Sequence, residues 1–338
     1  MKYNKLIKKM KQLIEKTSHL EKSKIKEIMY GSFEFFKNEY ENLNEKTYKR
    51  YCRKLLNNIS FEYDTDIIGI NDISNFEIVK RIAIISDTHC GHYTGLTPPS
   101  WQINENNKYF GKFAKIQKLA WDWFVDNVER IKDEREIDVL VTNGDMIDGE
   151  GKRSGGTEQI TTDRYFQTKM AEEIINLFET DIIRMTYGTP YHTGNGEDYE
   201  QILADNVGGK IYNELKIKIG GKIFQFKHKI SNSKREQTKA TAILNEIITD
   251  KIGAINKGID RADVVVRSHR HKMVIVQDDY SIGMVTPCLQ LDSKFGGRQC
   301  SGDIDFGFII IDIYENGKID IKPITAHLEI KPFEMEEI

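Results

Sequence analysis

The rhythm of apolar and polar positions changes near residue 79. Before it, apolar residues recur every three to four positions through LIKKMKQLIEK, IKEIMYGSFEFFKNEY and YKRYCRKLL, the spacing that lines one face of a helix. Gly31-Ser32 and the polar NLNEKT (42–47) read as breaks. Residues 1–60 are therefore expected to form a small helical domain, open to a helix-turn-helix arrangement. The acidic, turn-rich FEYDTDIIGINDISNFE reads as a connector, with the linker drawn at 61–78.

From residue 79 short apolar runs alternate with amphipathic segments. VKRIAIIS (79–86), IDVLVTN (137–143) and DIIRMTYG (181–188) predict strands, and 113–131, 165–178 and 196–208 predict the helices after them. LKIKIGGKIFQFKHKI predicts a hairpin turning at Gly220-Gly221, followed by a helix over 234–252 and a buried strand in ADVVVRS (262–268). The remainder, MVIVQDDY, SIGMVTPCLQL and the run from 306 to 330, reads as antiparallel strands. Strand–helix alternation followed by hairpins implies an α/β layered fold with a mixed sheet over 79–330, and 331–338 reads as a tail.

Composition narrows the class. The chain has 338 residues with 30% charged and 39% hydrophobic positions and a formal net charge of −3, which sets it among ordinary soluble proteins. No apolar run approaches the ~20 residues of a spanning helix, and MKYNKLIKKMKQLIEK has no continuous apolar core of a signal peptide, so a cytoplasmic protein with no membrane role is expected. Cys52, Cys90, Cys288 and Cys300 are scattered without CxxC spacing and suit reduced thiols. Charge is uneven: residues 1–58 hold fifteen Lys/Arg and seven Glu, a net of +8, which leaves −11 for the rest. Clustered cations on helices could contact a DNA backbone, or simply form a solvated face.

The chemistry-bearing residues fall where strands end. Asp87 and His89 close the first strand in SDTHCGH, Asp145 the second in TNGDMIDGEG, and Gly188, Thr189 and His192 follow the third in YGTPYHTGNGE. His228 ends a hairpin strand, and RSHRHK places His269 and His271 two apart after the next. An extended backbone would point that pair the same way. Ligands gather at the carboxyl ends of strands in open α/β sheets, so carboxylates and imidazoles delivered to one edge suggest a metal site. Mixed N/O donors suit Mn, Fe, Zn or Ni, and thiolate ligands of a structural zinc site are missing.

The order DxH, GD, a Gly-initiated third motif, a lone His and then SHRH resembles the calcineurin-like metallophosphoesterases. DTHCGHYTGLTPPSWQ with GTPYHTGNGEDYE resembles their bacteriophage- and prophage-carried members. The resemblance implies a four-layer sandwich of mixed sheets flanked by helices and a centre of two divalent ions, Mn foremost. In it Asp87, His89 and His271 would hold one ion, His228 and His269 the other, and Asp145 would bridge both. Activated water would attack a phosphate ester in line, with ions about 3.5–4 Å apart and no covalent intermediate. This chain departs from the family at its third motif, where Gly-Thr-Pro-Tyr-His stands in place of Gly-Asn-His. His192 could serve as ligand or as the acid that protonates the leaving group, or Asn195 could supply the missing amide.

Several residues carry two readings. Arg267 and Arg270 could bind substrate phosphate, with Arg270 as a catalytic candidate or a solvated side chain. His92 could contact ligands or substrate, or lie exposed; Asp148 and Glu150 could orient ligands or face water. Met146, Met170 and Met185 read as core. The Gly-rich 155–163 reads as an active-site loop without a P-loop's GK(S/T). The insertion at 93–112 reads as a substrate-shaping lid whose Trp101, Tyr109 and Phe110 could stack a base or pack the loop down. Three functions remain open: a nucleic-acid phosphodiesterase, a phosphomonoesterase acting on nucleotides or phosphoproteins, and a DNA-binding module with a vestigial metal site.

Overall fold

The computed structural model describes residues 6, 8–10, 12–13, 28–29, 31–39, 48–49, 52, 76–108, 110–193, 196–231, 238–292 and 304–326. The chain divides into two compact units, residues 1–73 and 74–338.

In the first unit Leu6, Met10, Met29, Phe36, Tyr48 and Cys52 are buried. The Tyr48 hydroxyl donates to the Met29 carbonyl at 2.7 Å, and Phe33 and Phe36 pack on its ring. Helix α1 (Phe33–Glu39) lies in the expected helical stretch, but Gly31-Ser32 is no break. Ser32 N–H donates to Ile28 O and Phe36 N–H to Ser32 O, so helical bonding runs across the pair. The Ser32 hydroxyl also bonds the Ile28 carbonyl, a back-bond that keeps a serine tolerable inside a helix. The expected linker 61–78 lies outside the described residues up to 75, and its last residue already belongs to a strand.

The second unit carries the expected layers. Strands β1 (Ile78–Ile85), β2 (Val139–Asn143), β3 (Ile183–Thr186) and β4 (Lys210–Tyr212) run parallel in one sheet, completed by antiparallel β10 (Phe306–Tyr314) and β11 (Ile319–Ala326) in the order β11-β10-β1-β2-β3-β4. The second sheet has the order β5-β6-β7-β9-β8, from β5 (Leu215–Ile219), β6 (Lys222–Phe226), β7 (Val264–Arg267), β8 (Val274–Gln277) and β9 (Ile282–Val285). It is mixed: β7 runs parallel to both β6 and β9, so the last third is not wholly antiparallel as its pattern suggested. Among the described residues four short elements escaped the sequence pattern: β4, 3₁₀ turns at Pro99–Trp101 and Lys152–Ser154, and helix α4 (Pro190–Thr193).

Alternation along the strands builds the layers. Ile82 and Ile84 of β1 face the second sheet, with Val139, Val141, Phe224, Phe226, Val264 and Val266. Ala83 and Ile85 face the other way, onto helices α2 (Gly111–Glu134), α3 (Arg164–Asn176) and α5 (Tyr199–Asn206) through Phe124, Ile174 and Leu203. Helix α6 (Lys239–Lys257) covers the far side of the second sheet with Ile243 and Ile247 against Val265 and Val285. This is a helix–sheet–sheet–helix sandwich in which the central strands β2, β7, β9 and β10 bury both faces, as their continuous apolar runs require, and β4, β5, β8 and β11 are partly exposed. Met146, Met170 and Met185 are core.

The 93–112 insertion is pinned rather than free to close. Tyr93, Thr94, Leu96 and Thr97 are buried, Leu96 N–H donates to Thr88 O, and Leu291 N–H donates to Thr94 O. The Trp101 indole donates to Glu173 at 2.8 Å, and Phe110 lies 6.3 Å from the Tyr93 ring. Both aromatics therefore pack the loop down; Tyr109 lies outside the described residues.

Candidate metal centre

The carboxyl ends of β1, β2, β3, β6 and β7 meet at one edge, where all six histidines of the described residues lie. The β1 and β2 loops are tied together. Asp87 N–H donates to Gly144 O, His89 N–H to Asp145 O, and Cys90 N–H to Met146 O. Below the edge the Asn143 amide donates to Ser268 Oγ at 2.7 Å and its oxygen accepts from Thr186. Ser86 and Ser268 both bond Thr286 at 2.7 Å. This buried polar stitch joins the two sheets directly beneath the site.

Five of the six expected ligand residues occupy left-handed backbone, with φ of 52° at Asp87, 45° at His89, 53° at Asp145, 75° at His269 and 55° at His271. Non-glycine residues rarely adopt this region, and each instance costs about 1–3 kcal/mol. The pair in RSHRHK is therefore not an extended alternation. His269 and His271 leave the strand through two strained residues and go to different partners.

Two donor groups share Asp87: Asp87, His89 and His271, and Asp87, Asp145, His228 and His269; a third, His89, Asp148 and His192, joins them through His89. His89 Nε2 lies 3.3 Å from His271 Nε2, and His228 Nε2 lies 3.2 Å from His269 Nδ1. Asp145 Oδ2 is 2.9 Å from His228 Nε2 and 3.7 Å from His269 Nδ1. Asp87 Oδ1 is 3.2 Å from His271 Nε2, 3.9 Å from His89 Nε2 and 4.0 Å from His228 Nε2. The carboxylate common to both groups is thus Asp87, whereas the resemblance gives that place to Asp145.

The donor set fits divalent cations. Neighbouring ligands at about 2.1 Å from a tetrahedral or octahedral ion stand roughly 3.0–3.4 Å apart, which is the spacing of both imidazole pairs. Asp87 Oδ1 is buried and makes no hydrogen bond among the described residues. An orphaned carboxylate oxygen among imidazoles is costly unless a cation satisfies it.

Outer contacts fix which nitrogens face inward. His89 Nδ1 bonds Asp148 Oδ1 at 2.7 Å, and Asp148 Oδ2 accepts from the Gln159 amide. His228 Nδ1–H donates to Asn143 O at 2.7 Å. Each leaves Nε2 for the centre, the arrangement by which a carboxylate or carbonyl orients a metal-binding imidazole. Asp148 therefore orients a ligand. Glu150 pairs with Lys152 and Arg164 at 38% side-chain exposure and reaches none of the ligands.

Burial works against every charge here, and neighbours decide the outcome. Asp87 is desolvated, yet His228 and His271 hold it far below the usual carboxylate range. Asp145 is likewise held low by His228 and His192. Burial opposes protonation of His228, but Asp145 and Asp87 raise it to about 9. His89 is pushed down by burial.

Thr189 stands where the motif the sequence resembles would have asparagine. Its N–H donates to Asp145 Oδ1, and its hydroxyl lies 3.1 Å from Asp145 Oδ2 and 3.2 Å from His269 Nδ1. Behind it both Glu200 oxygens accept from Gly188 N–H, at 2.9 and 3.2 Å. Glu200 is buried, and burial together with Asp145 raises its carboxyl to about 8. Neither the Thr189 grip nor Glu200 was legible in the sequence; a glutamate at an otherwise apolar position of helix α5 was its only trace.

His192 sits on the rim at 14% side-chain exposure. Its Nδ1–H donates to Asp148 O at 2.6 Å, and its Nε2 is 3.8 Å from Asp145 Oδ2. Asn195 lies outside the described residues. The Arg270 guanidinium donates to Lys239 O. Arg267 is buried, bonded to Glu246 at 2.8 Å and Gln225 at 2.9 Å, and cannot reach a phosphate. His92 is also buried: its Nδ1 accepts from Thr94 N–H, which leaves Nε2–H for Glu158 at 3.1 Å, so the exposed-loop reading fails.

No family model matches the chain, and no curated protein does. Among solved structures, an archaeal phosphodiesterase is similar over 72% of this chain and 99% of its own, at 17% identity and TM-score 0.37. Vps29 complexed with zinc from Entamoeba histolytica aligns over 72% of this chain and 98% of its own, at 11% identity and TM-score 0.37. A predicted phosphoesterase from Streptococcus pneumoniae aligns over 73% and 98%, at 11% identity and TM-score 0.31. At these scores the similarities carry no functional argument, and the centre rests on its own geometry.

Proposed function

We propose that this chain is a metal-dependent phosphoesterase that hydrolyses phosphate diesters, nucleic acid foremost. The observation that carries the reading is the convergence of six Asp and His side chains on one strand edge, in two groups spaced as metal ligands and sharing an orphaned Asp87 oxygen.

Asp87, His89 and His271 would hold one divalent ion, and Asp87, Asp145, His228 and His269 a second, with Mn favoured and Fe, Zn or Ni compatible with the donors. Such a pair supplies charge neutralisation for a phosphate and lowers the pKa of water toward neutrality. The chain's own residues set the geometry. Asp148 and Asn143 hold His89 and His228 in the tautomer whose Nε2 faces the centre. Thr189 keeps both Asp145 oxygens aligned, at the position where the resembled family has an asparagine ligand. His192 commits Nδ1–H to a carbonyl, so Nε2 is the atom that takes up a second proton and, from the imidazolium, would pass it to a leaving alkoxide.

The +8 charge of residues 1–58 supports a polymeric, anionic substrate held by the N-terminal unit. The motif block around Asp87 and Gly188 supports a place among phage- or prophage-carried enzymes working in a cytoplasm. Mn²⁺-dependent hydrolysis of bis-p-nitrophenyl phosphate, p-nitrophenyl phosphate and DNA by wild type and His89→Ala tests the reading. Diester and DNA cleavage lost in the variant is expected. Cleavage of the monoester alone would indicate a phosphomonoesterase, and no cleavage with any metal would leave a vestigial site.

A further inference from the structure

Helix α6 shows solvent a face that nothing among the described residues covers. Leu244 is 37% exposed, Ile248 51%, Ile252 54%, Ile255 80% and the following Ile259 51%. Spacings of four, four and three residues place Leu244, Ile248, Ile252 and Ile255 in one stripe along the helix, and Ile259 follows the left-handed Gly258 that ends it. Thr241, Asn245, Thr249 and Asn256 are the other exposed positions from 241 to 256, and exposed charge is confined to Lys257, Asp260 and Arg261 at the C-terminal end. The charged residues between 240 and 256 all turn to the sheet side. Glu246 bonds Arg267, Asp250 bonds Lys216, and Lys251 bonds Asp278. In a chain with 30% charged residues a solvated helix face would carry lysines and glutamates; charge depletion around exposed aliphatics marks an interface core.

We infer that this face is where a second copy of the chain docks, helix α6 against helix α6 in antiparallel about a two-fold axis near Ile252. The stripe is close to palindromic: Leu244 meets the partner's Ile259, Ile248 the partner's Ile255, and Ile252 lies beside the axis. A two-fold contact needs such self-complementarity, and the face that residues 241–256 present, free of exposed charge, meets its own copy without like-charge repulsion. Antiparallel pairing also sets each helix N-terminus beside the other's C-terminus, the favourable arrangement of the dipoles. The five side chains expose roughly 450 Å² of aliphatic surface, within the ~300–600 Å² range of a monomer's largest patch. Two copies bury about twice that, and the flanking Thr and Asn residues bring the contact toward the ~1,200 Å² of a specific interface.

Sedimentation velocity of the full chain is the test. A dimer at micromolar concentration is expected, and Ile252→Glu and Ile255→Glu should each weaken self-association by about a hundredfold with the circular dichroism spectrum and melting temperature kept, since both side chains are exposed. Leu244→Cys mixed with Ile259→Cys should cross-link under oxidation more than either alone. A chain that stays monomeric at tens of micromolar would overturn the inference and leave the face to a different protein. A dimer indifferent to both glutamates, or cross-linking Leu244→Cys to itself, would overturn it as well.

Discussion

Replacing Gly188 by alanine should disable the centre with every donor residue still present. A Cβ on Gly188 would lie 2.2 Å from Asp145 Oδ1 and 2.3 Å from the Asp145 nitrogen. Ordinary contact begins at about 3.5 Å, so the two must part by about 1 Å. Neither side yields easily: Gly188 N–H is held by Glu200, and Asp145 sits in left-handed backbone. Ligand positions tolerate only about 0.2 Å before coordination suffers, and a misplacement near 1 Å costs about a hundredfold in turnover. Metal titration followed by calorimetry, with diester hydrolysis alongside, is the assay. Gly188→Ala should lose at least tenfold in metal affinity and about a hundredfold in rate, and overpacking should cost about 1–3 kcal/mol of stability. Gly253→Ala, whose Cβ would meet nothing within 4 Å, is the control and should bind metal as wild type does. Wild-type affinity and rate in Gly188→Ala would refute the claim that Asp145 is held in place through Gly188 and Thr189.

Other expectations follow from single contacts. Asp148→Asn removes the carboxylate that orients His89 and should weaken metal binding about 10–100-fold while leaving the melting temperature nearly unchanged, as read by metal titration and calorimetry. Glu200, raised by burial to about 8, folds best protonated. Its contribution is complete below its unfolded value near 4.5 and is lost as pH rises through about 8. Urea titrations of metal-free protein should therefore show Glu200→Gln matching wild type at pH 4 and exceeding it at pH 9. Arg267→Met breaks its pair with Glu246 and its bond to Gln225, and should cost about 2–3 kcal/mol of stability in a chemical melt; the KM for diesters should stay unchanged, in contrast to a phosphate-binding arginine.

Strand ends were legible because burial writes itself into period and run length. VKRIAIIS and IDVLVTN are apolar on both faces, which only a covered strand tolerates, and the polar residue that stops each run is the one delivered to the site. The six donors were found that way. Their backbone state was not: RSHRHK reads as an alternation, but His269 and His271 reach separate groups through left-handed residues. Long-range contacts were equally silent. Nothing local tells that Asn143 bonds Ser268, 125 residues away, or that Glu200 holds Gly188. Arg267 looked like a phosphate ligand because its neighbours are chemical, but it belongs to the buried end of β7 and is neutralised by helix α6. His92 looked like an exposed loop residue because it comes just after the first motif; the loop itself is buried. The 93–112 insertion was too long to be anything ordinary by pattern, and its anchoring depends on strand pairs formed far along the chain.

Metal content of the purified chain bears most directly on the centre. After exhaustive chelation and dialysis against Mn²⁺, elemental analysis should find two ions per wild-type chain and fewer in Asp87→Asn, because both donor groups share that carboxylate. Wild type that retains no metal, or an Asp87→Asn variant that retains two, would contradict the account.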